Sequence, residues 1–384
     1  MVDVMERIYL DYAATTPTDP AVIEAMMPYF HDHFGNASSP HIFGQKAKKA
    51  IEDVRHTLAR FIGAQAEEII FTSGGTESNN HAIIGAAYAQ REKGNHIIIS
   101  QVEHHSVSEP IAFLEREGFQ VTRVGVDKDG LVNPDDIAGA IHDKTILISV
   151  MHANNEIGTI QPIVDIGKIA KHRGVVFHSD CVQTIGHIPV NTSELNLNLL
   201  SLSAHKFYGP IGVGALYIGK GTKVSSLLRG GDQERGRRAS THNLPGIVGL
   251  GKAVELCQVR MADEIKTQTR FREKIIKEVF NRLENVRLNG HPQKRLPNNI
   301  NFSFNGVEGE SLLMSLDMIG IAASMGSACT SGSMEASYVL RAIGLSEELA
   351  FGSLRVTLGR WTKPEHIDYF TEQLPMIIKR LRRV

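Results

Sequence analysis

The chain is 384 residues long, with 42% hydrophobic residues, 22% charged residues and a formal net charge of −1. That composition excludes a disordered chain, a fibre and a disulfide-stapled miniprotein. The length is enough for more than one domain's worth of core, and the balanced charge gives no global pull toward nucleic acid or an anionic membrane.

The opening stretch MVDVMERIYLDYAATTP carries acids and no apolar leader core, and no apolar run in the chain is long enough to span a bilayer. Three scattered cysteines, Cys181, Cys257 and Cys329, show no CxxC spacing. They predict a reducing compartment, most simply the cytoplasm, and no metal site. Short apolar, β-rich runs follow at Glu68–Ser73, His96–Ser100, Thr145–Met151, Val175–Asp180, Leu199–Ala204 and Val213–Gly219. Helical spacing over Asn79–Lys93 and Ile163–Arg173 separates several of them. This alternation predicts an α/β fold with a large, mostly parallel sheet covered on both faces.

The pattern changes near Gly246. A long helix is expected from Ile247 to Leu283, then a strand over Asn299–Phe304 and a short helix through ESLLMSLDM. A loop of small residues covers Gly326–Ser333, followed by the strand-like LRVTLG and a closing amphipathic helix from Pro364. We expect a large domain over residues 15–255. Residues 1–14 with 256–384 form a smaller α+β domain that carries a mobile cysteine loop.

Four features carry chemistry. Ser73-Gly74-Gly75-Thr76-Glu77-Ser78 follows a strand and opens a helix. It fits a phosphate cradle, and equally a tight turn capped by Thr or Ser. Two other glycine-lysine stretches, Gly246–Lys252 and Gly214–Lys220, match G-x4-G-K but lack the following Ser or Thr, so they read as structural. Lys206, in SAHK, ends an apolar strand. Burial there would make a nucleophilic amine suited to a Schiff base, whereas a lysine emerging into solvent would do nothing. Asp180 also ends a strand. Ligands of open α/β sheets sit beyond the carboxyl ends of strands, so these features can meet. Together they match what pyridoxal phosphate needs: an anion cradle, a carboxylate for the ring nitrogen and an amine for the aldehyde. The fourth is Cys329, in the small-residue loop GSACTSGS, where a travelling nucleophile would be accommodated. Cys257 and Cys181 read as packing residues. The basic RGRR at Arg235–Arg238 is one short patch on a neutral chain and reads as a solvated loop or an interface.

IYLDYAATTP, FTSGGTESNN, MHANNEIGTIQP, SDCVQ, SAHK and GSACTSG, taken in order, resemble the pyridoxal phosphate-dependent cysteine desulfurases of the NifS/IscS type, in the aminotransferase class V group. The resemblance runs from Ile8 to the last helix. It implies the fold type I, aspartate aminotransferase-like architecture and a homodimer. It implies removal of sulfur from L-cysteine to give L-alanine and a persulfide on Cys329, for iron–sulfur scaffold or other acceptor proteins. Residue by residue, Lys206 would carry the cofactor, Asp180 would pair with its ring nitrogen, His104 would stack on the ring and shuttle protons, and Gln183 would bond the phenolic oxygen. Gly75, Thr76, Ser203 and His205 would hold the phosphate, and Thr241 would reach it across a dimer interface. Asn155 and Arg355 would bind the substrate carboxylate, Asn155 also touching the cofactor. Cys329 could be a transient cluster ligand. Ala204, Asp232 and Ser240 depart from the usual family residues. A selenocysteine lyase or another class V aminotransferase would keep Lys206 and Asp180 without needing Cys329. A non-enzymatic sulfur carrier would bind no cofactor.

Overall fold

The computed structural model describes residues 7–326 and 336–382. Strand β1 (Ile8–Tyr9) leads into helices α1 (Pro20–Met26), α2 (Pro28–His31) and α3 (Ile42–Ile62). Proline at the first turn of α1 and α2 sacrifices no helical hydrogen bond. Helix α3 buries Ala47, Ile51, Val54, Leu58 and Ile62, a stripe at three- and four-residue spacing, and stops at Gly63, whose φ of 70° suits glycine.

The central layer is built from β2 (Ile69–Thr72), α4 (Gly75–Ala89), β3 (His96–Ser100), α5 (His105–Arg116), β4 (Gln120–Val124), α6 (Pro134–Ala140), β5 (Thr145–Ser149), α7 (Ile163–Arg173), β6 (Val176–Asp180), β7 (Leu199–Ser203) and β8 (Gly214–Ile218). Its seven strands lie in the order β2-β8-β7-β6-β5-β3-β4. Pairings from β4 through β7 are parallel, and β8 runs against both of its neighbours. Strands β3, β5 and β7 are buried at every residue, which is why their sequences read as unbroken apolar runs. The edge strand β4, with exposed Gln120 and Arg123, has no such signature and was not expected from sequence. Residue Gly214 lies opposite both Thr72 and Ser203. A Cβ there would stand 2.5 Å from the Leu202 carbonyl oxygen and 2.8 Å from Gly74 Cα. Glycine at 214 therefore lets the turn after β2 close onto the end of β7.

Helix α8 (Leu244–Arg282) crosses from this layer to the C-terminal elements. Its first half packs Ile247, Leu250, Val254 and Cys257 into the core beneath the sheet, and its second half packs Phe271, Ile275 and Val279 into a separate core. That second core holds β9 (Val286–Leu288), β10 (Asn299–Phe304), α9 (Gly309–Met318), β11 (Ile321–Ala322), β12 (Ser353–Thr357) and α12 (Pro364–Leu381), with Ile8 and Leu10 from the N-terminus. Short helices α10 (Tyr338–Ala342) and α11 (Glu347–Phe351) precede β12. Strands β12-β10-β9 form an antiparallel sheet, while β1 pairs parallel with β11. Among the described residues, no helix is long and apolar enough to cross a membrane.

Candidate active site

The carboxyl ends of β2, β6 and β7 open onto a cavity of about 260 Å³. Strand β6 ends in Asp180, and β7 ends in Ser203, after which one tight turn, Ala204–Lys206, brings the lysine back over the sheet. The Lys206 Nζ donates to the carbonyl oxygens of Ala13 and Ala14, at 2.6 and 2.7 Å. Gln183 Nε2 donates to the same Ala13 carbonyl at 3.0 Å. The YAATTP segment therefore forms one wall of the cavity through its backbone. The Asp180 carboxylate accepts from the Val182 N–H at 2.9 Å and from Asn79 Nδ2 at 2.7 Å.

One end of the cavity is built for an anion. Gly74, with φ of 152°, turns the chain from β2 into α4. A Cβ on Gly75 would lie 2.8 Å from a Val182 methyl, so only glycine keeps the helix start this close to the end of β6. The first turn of α4 thus faces the cavity with free N–H groups and the positive end of the helix dipole. Thr76, Ser203 and His205 line the same end. His205 Nδ1 is 3.0 Å from Thr15 Oγ1, and burial with the neighbouring Lys206 holds its ring down at about 4, hence neutral.

His104 caps α5. Its Nδ1 accepts from the Ser106 N–H at 3.1 Å and lies 2.8 Å from Ser106 Oγ, which leaves the ring proton on Nε2. Burial, opposed by Asp180 and reinforced by Lys206, holds this histidine below its ordinary value. Behind it, the buried Glu103 carboxyl is pushed up to about 8 by burial, although it accepts from Ser100 Oγ and the Met151 N–H.

The same cavity is lined by Arg355, on β12 and only 2% exposed. Its Nη1 donates to the carbonyls of Gly326, at 2.6 Å, and Asn155, at 3.2 Å, while Nη2 pairs with Asp11 Oδ1 at 2.8 Å. Among the described residues, its Nε is buried without a partner. That unsatisfied donor suits a ligand carboxylate, because leaving it unpaired costs a desolvation penalty that an arriving oxygen removes.

Gly75, Thr76, His104, Asn155 and Asp180 thus line one cavity together with Gln183, Ser203, His205, Lys206 and Arg355. Thr241 is exposed and lines no part of it. Cys329 lies outside the described residues. The other two cysteines are buried, their thiols pushed up to about 12 by burial, which suits packing rather than nucleophilic chemistry. The sequence reading missed Asn79, Ser106, Glu156 and Tyr338 as cavity residues. Asn79 had a usable signal, since it stands four residues after Gly75 on the same helix and so faces the same way.

Pyridoxal phosphate fits these residues. Among the described residues, Asn79 Oδ1 and Asn155 Oδ1 are buried without a partner, and both residues line the cavity, as expected where a polar ligand completes the bonding. The anion cradle, the carboxylate and the primary amine occur at separate points around the same space, matching the three polar handles of that cofactor.

The family model for aminotransferase class-V matches residues 8–370. The chain is 56% identical over 378 residues to a protein of Dictyoglomus turgidum named cysteine desulfurase IscS, covering 98% of this chain and 96% of that one. A solved NifS-like protein superposes with a TM-score of 0.91 at 35% identity, covering 97% of this chain and 99% of its own. A structure of SspA in complex with cysteine superposes with a TM-score of 0.81 at 38% identity, over 91% of this chain and 98% of its own.

Proposed function

The chain belongs to the aminotransferase class-V family, among its cysteine desulfurases, and we propose that it moves sulfur from L-cysteine onto Cys329. The observation that carries this reading is the meeting of Lys206, Asp180 and the start of α4 in one cavity that also presents the buried guanidinium of Arg355. That arrangement takes an amino acid by its carboxylate while its Cα faces a lysine amine.

Pyridoxal phosphate, when bound, supplies an electron sink for charge developing at the substrate Cα. Asp180, oriented by Asn79, would hold a proton on the ring nitrogen. Gly75, Thr76, Ser203 and His205 would hold the phosphate, and Gln183 would bond the phenolic oxygen. Arg355 and Asn155 hold the substrate carboxylate. Lys206 Nζ takes the Cα proton. His104, with its proton on Nε2, is placed to pass a proton at the ring face. Cys329 then attacks as a thiolate. Its sulfur bonds the substrate sulfur as the substrate Cβ–Sγ bond breaks, Cβ gains a proton, and Lys206 Nζ returns to Cα the proton it took. L-cysteine and the enzyme thiol give L-alanine and the enzyme persulfide, with no external oxidant or reductant. The terminal sulfur passes to an iron–sulfur scaffold or another acceptor protein.

The working form is a homodimer in which Thr241 of one copy reaches the phosphate in its neighbour. Exposed Met27, Phe30, Phe34, Ile42 and Phe43, on and around α2 and the start of α3, support a second copy covering that face. The scattered cysteines fit a reducing cytoplasm. The test is Cys329→Ser: the yellow, cofactor-loaded protein remains, and sulfur transfer to an acceptor is lost. Unchanged transfer would remove Cys329 from the reaction.

A further inference from the structure

Glu156 lines the cavity and is 1% exposed, yet no step above uses it. Its backbone is pinned on both sides: the N–H donates to Asn154 Oδ1 at 2.9 Å, and the carbonyl accepts from Asn301 Nδ2 at 3.1 Å. From this fixed base its carboxyl touches two residues that are far apart in sequence from it and close to Cys329. Oε2 accepts from Ser337 Oγ at 2.6 Å. The same oxygen lies against Gly326, where a Cβ would come within 2.7 Å of it. Gly326 has a φ of 134°, so both its conformation and its neighbour call for glycine.

Gly326 and Ser337 stand on either side of the 327–335 stretch that contains Cys329. Each is tied onward. The Gly326 carbonyl accepts from Arg355 Nη1 at 2.6 Å. Ser337 Oγ accepts from the Leu340 N–H at 3.2 Å and so caps α10. One buried carboxyl therefore joins both flanks of the cysteine segment to the group that holds the substrate carboxylate.

We infer that Glu156 is a positioning residue for sulfur transfer, fixing through Gly326 and Ser337 where the chain enters and leaves the segment that delivers Cys329. The inference rests on the reading that Cys329 accepts the sulfur. Displacing an attacking atom by about an ångström can cost on the order of 100-fold in rate, so anchoring both flanks has a kinetic effect of its own.

The test compares wild type, Glu156→Ala, Glu156→Gln and Ser337→Ala as cofactor-loaded proteins. The cofactor spectrum and its change on adding L-cysteine report binding, and the single-turnover rate of persulfide on Cys329 reports transfer. Hydrogen exchange at the Leu340 amide reports the anchor itself. Glu156→Ala keeps both spectral signals, forms persulfide about 10-fold or more slowly, and exchanges faster at Leu340. Glu156→Gln keeps an acceptor for Ser337 and recovers to within about 3-fold of wild type. Ser337→Ala, which removes only the donor, slows transfer in the same direction and decides the matter if Glu156→Ala does not fold. Wild-type persulfide rates in Glu156→Ala and Ser337→Ala overturn the inference. So does loss of the spectral signals in parallel with transfer, which would make Glu156 part of the binding site. A wild-type protein that forms no persulfide on Cys329 instead overturns the proposed function, and this inference with it.

Discussion

Asn79 holds Asp180 from one side of the cavity and Ser106 from the other, through hydrogen bonds of 2.7 and 2.8 Å made by a single amide nitrogen. Ser106 in turn fixes the tautomer of His104. One side chain on α4 therefore sets the geometry of both Asp180 and His104, the two groups proposed to face the cofactor ring. Replacing it with alanine removes a hydrogen bond to a carboxylate, worth about 1.5–3 kcal/mol. Apo-protein carrying Asn79→Ala should bind pyridoxal phosphate about 10- to 100-fold more weakly by absorbance titration. Unchanged affinity would detach Asn79 from the site.

Arg355 offers a different separation. Its fork spans Asp11, Asn155 and Gly326 at once, which a lysine ammonium cannot reproduce. Arg355→Lys should retain the bound cofactor and raise KM for L-cysteine by at least about 10-fold in steady-state assays. A normal KM would mean that the substrate carboxylate is held elsewhere.

Buried histidines give the fold a pH dependence of definite sign. Burial holds His178 at about 3 and His152 at about 4, against an unperturbed 6.5. Below about pH 6.5 the unfolded chain takes protons that the folded chain refuses. Their contribution is therefore complete above 6.5 and is lost as pH falls toward the folded values, at about 1.4 kcal/mol per pH unit for each group. Burial also holds His81 and His205 at about 4, and they act in the same direction. Glu103 works oppositely: raised to about 8, it contributes below 4.5 and loses that contribution as pH rises through 8. Burial raises Glu156 as well, in the same direction as Glu103, and the four histidines outweigh these two carboxyls in acid. The urea midpoint should peak near pH 6.5–7 and fall steadily toward pH 4.5. A midpoint that is flat or rising on acidification would contradict this account.

The sheet was legible because β3, β5 and β7 are buried on both faces and therefore apolar at almost every position. Strand β4 was invisible because its side chains are largely wet. The reversed direction of β8 leaves no mark in its composition; it follows from the short path between Ser203 and Gly214, which permits no crossover. Lys206, Asp180 and Gly75 were readable because each stands at a strand end or a helix start, where ligands collect. Glu156 was not, since its contacts to Gly326 and Ser337 join segments far apart in the chain. Nor could Asn155 Oδ1, unpartnered among the described residues, be seen, because satisfaction of a polar atom is a property of the folded cavity alone.

The central claim is that sulfur leaves L-cysteine by attack of a protein thiol and not by elimination. Quantifying alanine, pyruvate and sulfide from L-cysteine with a thiol reductant, in one reaction, tests it most directly. The account predicts alanine equal to sulfide with no pyruvate. Pyruvate appearing in step with sulfide would contradict it, and Cys329 would have no part in the chemistry.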